Sequence, residues 1–401
     1  MLETAPPRLP AVVFLLAAGT FLMGTTEFVV AGILPELARA FDTTVAHAGL
    51  TITVFAIGMI VGAPVMALLT LRLPQRVILA AALLVFAAGH VVVALTDDFA
   101  LLLVMRFVTA LATGAFWAVA AVVGARVAGI GASSRALGVV LGGGMLANVL
   151  GVPLGAFIGQ AVGWRGPFWA LAVLALLLAL PVLRLVPVED PSAPVPSHRA
   201  EVRSLRSARL WLALAACVAV NAGVMSIYSY VSPLLTDRAG LPGGAVPIVL
   251  LVFGVGALVG SVVGGRLGDT RPFAGPLAMM ALTLVAAVGL LAFSTSAVAA
   301  VVSIALLGLV GLSSNPILVD FAVRYGREAP TLPSAMATSM FNLGTAIGSA
   351  LVSISLSSSV GTIGIPLVGT VFALAVFVPV LWLRAVDRRP RLASAASRRL
   401  G

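Results

Sequence analysis

"AVVFLLAAGTFLMGTTEFVVAGIL", residues 11–34, holds a single charged side chain, Glu27, in its whole length. A helix rises about 1.5 Å per residue, so roughly 20 apolar residues cross a hydrocarbon core of about 30 Å. The stretch reaches that length. Arg8 and "LAAG" imitate a secretory leader, but a leader's apolar core stops after about 7 to 15 residues, and this one continues through Ile33 and Leu34. A spanning helix is expected.

The rest of the chain has the same character. Of its 401 residues 61% are apolar and 9% charged, with a mean hydropathy of +1.15, whereas soluble domains carry about a quarter charged residues. Spans are expected near 11–34, 47–71, 76–95, 99–124, 136–160, 166–186, 209–235, 245–266, 274–295, 298–321, 334–357 and 363–384. The fold class is an all-α membrane protein of twelve transmembrane helices, with no soluble domain left over.

Charge placement sets the orientation. All 24 basic residues are arginine. With the N-terminus inside, only Arg39, Arg165 and Arg238 fall in outer loops, Arg106 lies within a span, and the remaining 20 fall inside. By the positive-inside rule both termini are expected in the cytoplasm. The net charge of +10 then reflects topology and contact with anionic lipid, and no nucleic-acid partner is expected.

Composition excludes several chemistries. One cysteine, Cys217, allows no internal disulfide, and His47, His90 and His198 are too scattered in sequence to suggest a metal cluster. The absence of lysine removes the lysine of a phosphate-binding loop and any Schiff base. An ATP-driven pump, a retinal protein and a pyridoxal enzyme are disfavoured; no cofactor is expected.

"VPVEDPSAPVPSHRAEVRSLRSA" is too polar and proline-rich to bury a core. It divides the chain into a bundle over 1–186, a cytoplasmic linker over 187–208, a second bundle over 209–384 and a basic tail over 385–401. The halves repeat at one offset, 194, which pairs Gly62 with Gly256, Arg72 with Arg266, Leu73 with Leu267 and Asn148 with Asn342. Two six-span halves in parallel repeat place a transporter's substrate site near the midplane.

With these residues in view the chain resembles the major facilitator superfamily, and within it the twelve-span drug:proton antiporters. "GGRLGDTR", Gly264 to Arg271, resembles the family's cytoplasmic gating motif, while its first-half counterpart "LRLPQR" has Gln75 where Asp269 stands. "LLLVMRFVTALATG" resembles the fourth-helix motif with a buried arginine, with Ala110 in place of the usual glycine, and "GVPLGAFIG" resembles a relaxed fifth-helix antiporter motif. "GTTEFVVAGILPELA", "FAIGMIVGAPVMALL" and "GWRGPFW" are most similar to chloramphenicol-resistance exporters and their sugar- and nucleoside-exporting relatives. The resemblance implies gating roles for Arg72, Arg76, Arg266, Asp269 and Arg271, and a bend at Gly151, Pro153 and Gly155. It also implies a monomer driven by the proton gradient.

Glu27 and Arg106 carry the chemistry. Counting residues from the outer ends of helices 1 and 4 puts them at matched depths of roughly 10 and 12 Å. A lone charge there costs roughly 2.5 to 3.5 kcal/mol. Either the two lock helix 1 to helix 4 as a structural ion pair, or Glu27 is a proton acceptor tuned by Arg106. Burial favours the neutral acid and a nearby arginine the ionised one, so an entering solute can tip the balance.

Arg106, Thr113 and Trp117 share one helical stripe, as do Asn221, Met225, Tyr228 and Ser232 in helix 7. Together with Asn148 and Asn342 they are candidate substrate contacts, with interhelical packing as the alternative for each asparagine. A mostly apolar cavity with one deep acid suits a small neutral or amphipathic solute of the phenicol type. A sugar or nucleoside is the close rival. A passive channel would not need Glu27, and an enzyme would need a catalytic cluster that is not seen.

Overall fold

The computed structural model describes residues 9–69, 73–128, 132–188, 203, 205–271, 273–326 and 331–397. Arg72 and the side chain of Asp269 lie outside the described residues, as does the linker at 189–202 and 204. Among the described residues twelve helices are long and apolar enough to cross a membrane. Spans 1 to 6 are Ala11–Ala40, Val45–Met66, Gln75–Leu95, Phe99–Ala128, Arg135–Val162 and Arg165–Leu185. Spans 7 to 12 are Ala208–Ser229, Gly243–Leu267, Ala274–Phe293, Ala297–Gly326, Leu332–Leu356 and Gly361–Asp387.

The chain forms two compact units. The first comprises Met1–Val195 with Pro242–Gly254, the second Pro196–Leu241 with Val255–Gly401. The start of span 8 therefore packs with the first unit. Gln160 Nε2 donates to the carbonyl of Gly243 at 3.0 Å, and Gly254 lies so close to the backbone of Asn148 that a Cβ would collide with it.

Within the first unit, Leu16, Met23, Phe86, Phe116, Val140 and Leu178 form a core drawn from spans 1, 3, 4, 5 and 6. In the second, Leu214, Cys217, Leu318, Phe321 and Val380 do so from spans 7, 10 and 12. Span 7 is the innermost helix of its unit, 78% of its apolar window being buried, against 33% for span 6 and span 9. Lipid tails are as apolar as leucine, so the exposed Leu174, Leu176, Leu177 and Leu180 of span 6 incur no penalty and supply no drive to associate.

Close approach of small residues supplies the packing instead. Gly151, Gly155 and Gly159 lie against Thr25, Val29 and Ile33 of span 1, both rows advancing by four residues, so a ridge of span 1 fills a groove made of missing side chains. In the second unit Gly256, Gly260 and Gly264 meet the backbone of Leu309 and Ser313.

Proline shapes the helices locally. Ile33 leaves helical geometry (φ −123°, ψ 16°) two residues before Pro35, and Tyr230 does the same (φ −118°, ψ 27°) three before Pro233. Span 5 widens into a π-turn over Ala147–Gly151 immediately before Pro153. Proline has no N–H to donate and its ring crowds the carbonyl four residues earlier, which accounts for the bend, the widening and the stop at these positions. Span 10 is made of two helices, Ala297–Gly311 and Asn315–Gly326, with Pro316 beside the break, and the last helix, Phe377–Ser397, continues into the basic tail.

Replacing Gly260 by alanine is expected to cost about 1 to 3 kcal/mol through overpacking, lowering the unfolding temperature of the detergent-solubilised protein. Gly265, which has open space where a methyl group would sit, serves as the control: Gly265→Ala should melt with the wild type.

Candidate functional site

Asp98 opens span 4, its Oδ1 accepting from the backbone N–H of Ala100 at 2.8 Å, and Arg106 follows two turns later. The Arg106 side chain is 1% exposed. Its Nη1 donates to the carbonyl of Thr26 at 3.0 Å and to Thr26 Oγ1 at 3.1 Å. Its Nε donates to the carbonyl of Thr51 at 3.3 Å, and the guanidinium lies 4.1 Å from the centre of the Phe55 ring. Both carbonyls belong to helices, but a carbonyl has a second lone pair to offer. Arg106 Nη2 is buried and has no hydrogen-bond partner among the described residues.

The network continues into span 3. His90 is 1% exposed, with Nδ1 2.7 Å from the carbonyl of Phe86 and Nε2 2.7 Å from Thr26 Oγ1. A carbonyl only accepts, so Nδ1 carries the proton and, in a neutral ring, Nε2 accepts. Thr26 Oγ1 therefore donates to His90 while accepting from Arg106. One hydroxyl joins spans 1, 3 and 4. The ring also lies on Phe86, centroids 4.0 Å apart.

Glu27 is the next residue along span 1. It is half-buried, and among the described residues its carboxylate forms no ion pair within 4.0 Å. The guanidinium holds the backbone and hydroxyl of Thr26 and does not clamp the neighbouring acid.

The remaining candidates are dispersed. Thr113 is buried; its hydroxyl donates to the carbonyl of Thr109 at 2.8 Å and touches Met23 Sδ at 3.3 Å, so it faces span 1 inside the first unit. Trp117 is half-buried, its ring resting on Gly144, and its buried indole N–H has no acceptor among the described residues. Asn148 sits in the π-turn of span 5. In the second unit Asn221 accepts from Asn315 Nδ2 at 3.3 Å, and Asn342 donates to the carbonyl of Thr338, one turn back, at 3.1 Å. Met225 and Tyr228 are 2% exposed. Arg76 is half-buried, while Arg266 and Arg271 are exposed.

Thr26, Thr51, Phe55 and His90 are the residues that sequence reasoning missed, since it considers His90 only as a metal ligand. The position of His90 inside an apolar span is a usable signal, because a polar group at such depth needs a partner. Among the described residues no three histidine, cysteine, aspartate or glutamate side chains gather to hold a metal ion. An open groove of about 430 Å³ lined by Glu36, Arg39, Gln160 and Trp164 shares no residue with the network.

Comparison with known proteins adds the family. The sequence pattern described as Major Facilitator Superfamily matches residues 16–332. A chloramphenicol resistance protein of Streptomyces lividans is 35% identical over 364 residues, 89% of this chain and 92% of that protein. The uncharacterized MFS-type transporter YtbD of Bacillus subtilis (strain 168) is 29% identical, covering 94% and 96%. The inner membrane transport protein YdhP of Escherichia coli (strain K12) is 31% identical, covering 89% and 92%.

Thr26→Val removes the shared hydroxyl and strands both Arg106 and His90; a loss of about 2 to 4 kcal/mol is expected, since each buried partner left unsatisfied costs roughly 1 to 3 kcal/mol. Thermal unfolding in detergent measures it, and Thr26→Ser, which keeps the hydroxyl, should stay near the wild type.

Proposed function

The chain belongs to the Major Facilitator Superfamily and is a multi-pass membrane transporter, not an enzyme; on that premise we propose that it exports small neutral or amphipathic solutes of the chloramphenicol type in exchange for protons. Glu27 is the proton acceptor and Arg106 its tuner. The observation that carries this is the arrangement around Thr26. Arg106 is held on the residue beside Glu27 with one nitrogen, Nη2, uncommitted, while Glu27 has no ion pair of its own among the described residues. A carboxylate clamped by a guanidinium would resist protonation; one placed beside it, half-buried and unclamped, can gain and lose a proton as solute and water exchange.

Support for the substrate class comes from the relative named for chloramphenicol resistance, which aligns with 89% of this chain, and from the scarcity of charge in the spans. Among the candidate contacts, Trp117 is favoured because its buried N–H lacks an acceptor, whereas the hydroxyl of Thr113 is already used within its own helix. Coupling by alternating access needs latches, and Arg72, Arg76, Arg266, Asp269 and Arg271 are assigned to the cytoplasmic one. The arginine count supports a cytoplasmic position for both termini in a cell membrane, and the transporter acts as a monomer. A proton driving force of about 100 to 200 mV supplies roughly 2.3 to 4.6 kcal/mol per charge, enough for a gradient of tens to a few thousand fold.

In everted vesicles, uptake of radiolabelled chloramphenicol is expected to collapse on adding a protonophore. ATP-dependent uptake that ignores the protonophore would exclude proton exchange. Glu27→Gln should abolish uphill uptake while leaving exchange of labelled for unlabelled solute within about twofold of wild type; a variant that still concentrates solute in response to a pH gradient would move the proton site elsewhere. Uptake of a sugar or nucleoside in place of chloramphenicol would transfer the same mechanism to the rival substrate.

A further inference from the structure

Span 10 stops and restarts within the bilayer. Ala297–Gly311 and Asn315–Gly326 are helical, and residues 312–314 between them are not. The sequence "LSSNP" accounts for this. Pro316 has no N–H and its ring crowds the carbonyl of Leu312, four residues earlier; Ser313, Ser314 and Asn315 compete for the backbone's own hydrogen bonds. At about 1.5 Å per residue the break lies roughly 22 Å along a span that begins at Ala297. Irregular backbone persists at such depth only where protein or a water-filled cavity surrounds it.

The fold does not require the break. Subtracting the repeat offset of 194 maps 312–316 onto 118–122, which lie inside the uninterrupted helix Phe99–Ala128 of span 4. The same position in the first half is thus continuous helix.

Polar atoms at the break are left unmatched. Ser314 is 1% exposed and its Oγ has no hydrogen-bond partner among the described residues. Asn315 Oδ1 is likewise buried without one, although its Nδ2 donates to Asn221 Oδ1 at 3.3 Å. The neighbouring Ser313 shows what a satisfied hydroxyl looks like here, donating to the carbonyl of Val310 at 2.6 Å. Buried polar atoms without a partner are uncommon in native proteins, and two at one break are a place where a polar ligand or water can complete the hydrogen bonding.

We propose that the break in span 10 is a binding site for a neutral solute that presents both a hydroxyl or amide donor and an oxygen acceptor. Asn315 Oδ1 accepts from the donor, Ser314 Oγ donates to the acceptor, and Asn221 holds the Asn315 amide in position. The three side chains carry no charge with which to hold an ion. The helix that ends at Gly311 turns its negative end toward the break and the helix that starts at Asn315 its positive end, so the break offers backbone acceptors as well as donors and the two dipoles give no net preference for charge. The site deepens, and rests on, the exporter reading above by naming the groups of the solute that are recognised.

Equilibrium binding to the full-length protein in lipid nanodiscs tests it without any proton gradient. The probes are chloramphenicol, uridine and lactose, which are neutral and bear such groups, and tetraphenylphosphonium, which has none. Ser314→Ala and Asn315→Ala are each expected to weaken the neutral probe that the wild type binds by about 5- to 20-fold, the loss of one buried hydrogen bond. Ser314→Thr, which keeps the hydroxyl, should bind within about twofold of wild type; if one alanine variant fails to fold, the other decides the site. Unchanged affinity in both alanine variants overturns the site. So does an equal loss for every probe, tetraphenylphosphonium included, which would mark a structural role, and so does a wild type that binds none of the neutral probes, which would leave the break to water alone. Binding of uridine or lactose without chloramphenicol would sink the phenicol assignment, and the variants compared on the probe that binds would still decide the site.

Discussion

Hydrocarbon offers a polar group no hydrogen-bond partner, so each backbone amide left unpaired at bilayer depth costs several kcal/mol. The consequence in this chain is twelve helices that satisfy their own amides. Because lipid also removes most of the drive to bury leucine, the helices must be held by close contact and by polar pairing. The glycine rows of spans 5 and 8 supply the first. Thr26, His90 and Arg106 supply the second.

The same constraint explains why the arginine has the company it has. A guanidinium with five N–H donors needs oxygens and an aromatic face once water is gone. Arg106 finds two helical carbonyls, one hydroxyl and the ring of Phe55. Those partners come from spans 1 and 2, and the hydroxyl is tied in turn to span 3 through His90. The positive charge is thus anchored through Thr26, and no ion pair to Glu27 within 4.0 Å is found among the described residues.

The two repeats have diverged in what they bury. The first unit buries an arginine and a histidine, with an acid beside them; the second buries asparagines, serines, threonines and tyrosines, all uncharged. Span 4 runs unbroken past the position at which span 10 is interrupted. Among the described residues the buried arginine and histidine thus lie in the first unit, beside buried threonines, while the buried asparagines lie in the second.

Much of the fold was legible in the sequence because hydropathy over about 20 residues is a property of composition alone. The twelve spans followed from such runs, the expected halving from the proline-rich linker and the offset of 194, and the family resemblance from motifs such as "GGRLGDTR" and "GVPLGAFIG". Proline positions were equally visible, yet Pro64 and Pro181 sit inside unbroken helices, while Pro35, Pro153, Pro233 and Pro316 accompany bends, a π-turn or a stop. Which outcome a proline produces depends on whether neighbouring helices can satisfy the freed carbonyl. Sequence also showed Glu27 and Arg106 as charges at similar depth, since depth is a matter of counting residues. Only the tertiary structure decided that Arg106 grips Thr26, that His90 completes the link, and that Ser314 and Asn315 are left with unmatched oxygens, because hydrogen bonds between helices depend on rotation about each helix axis and on contacts between residues far apart in the chain.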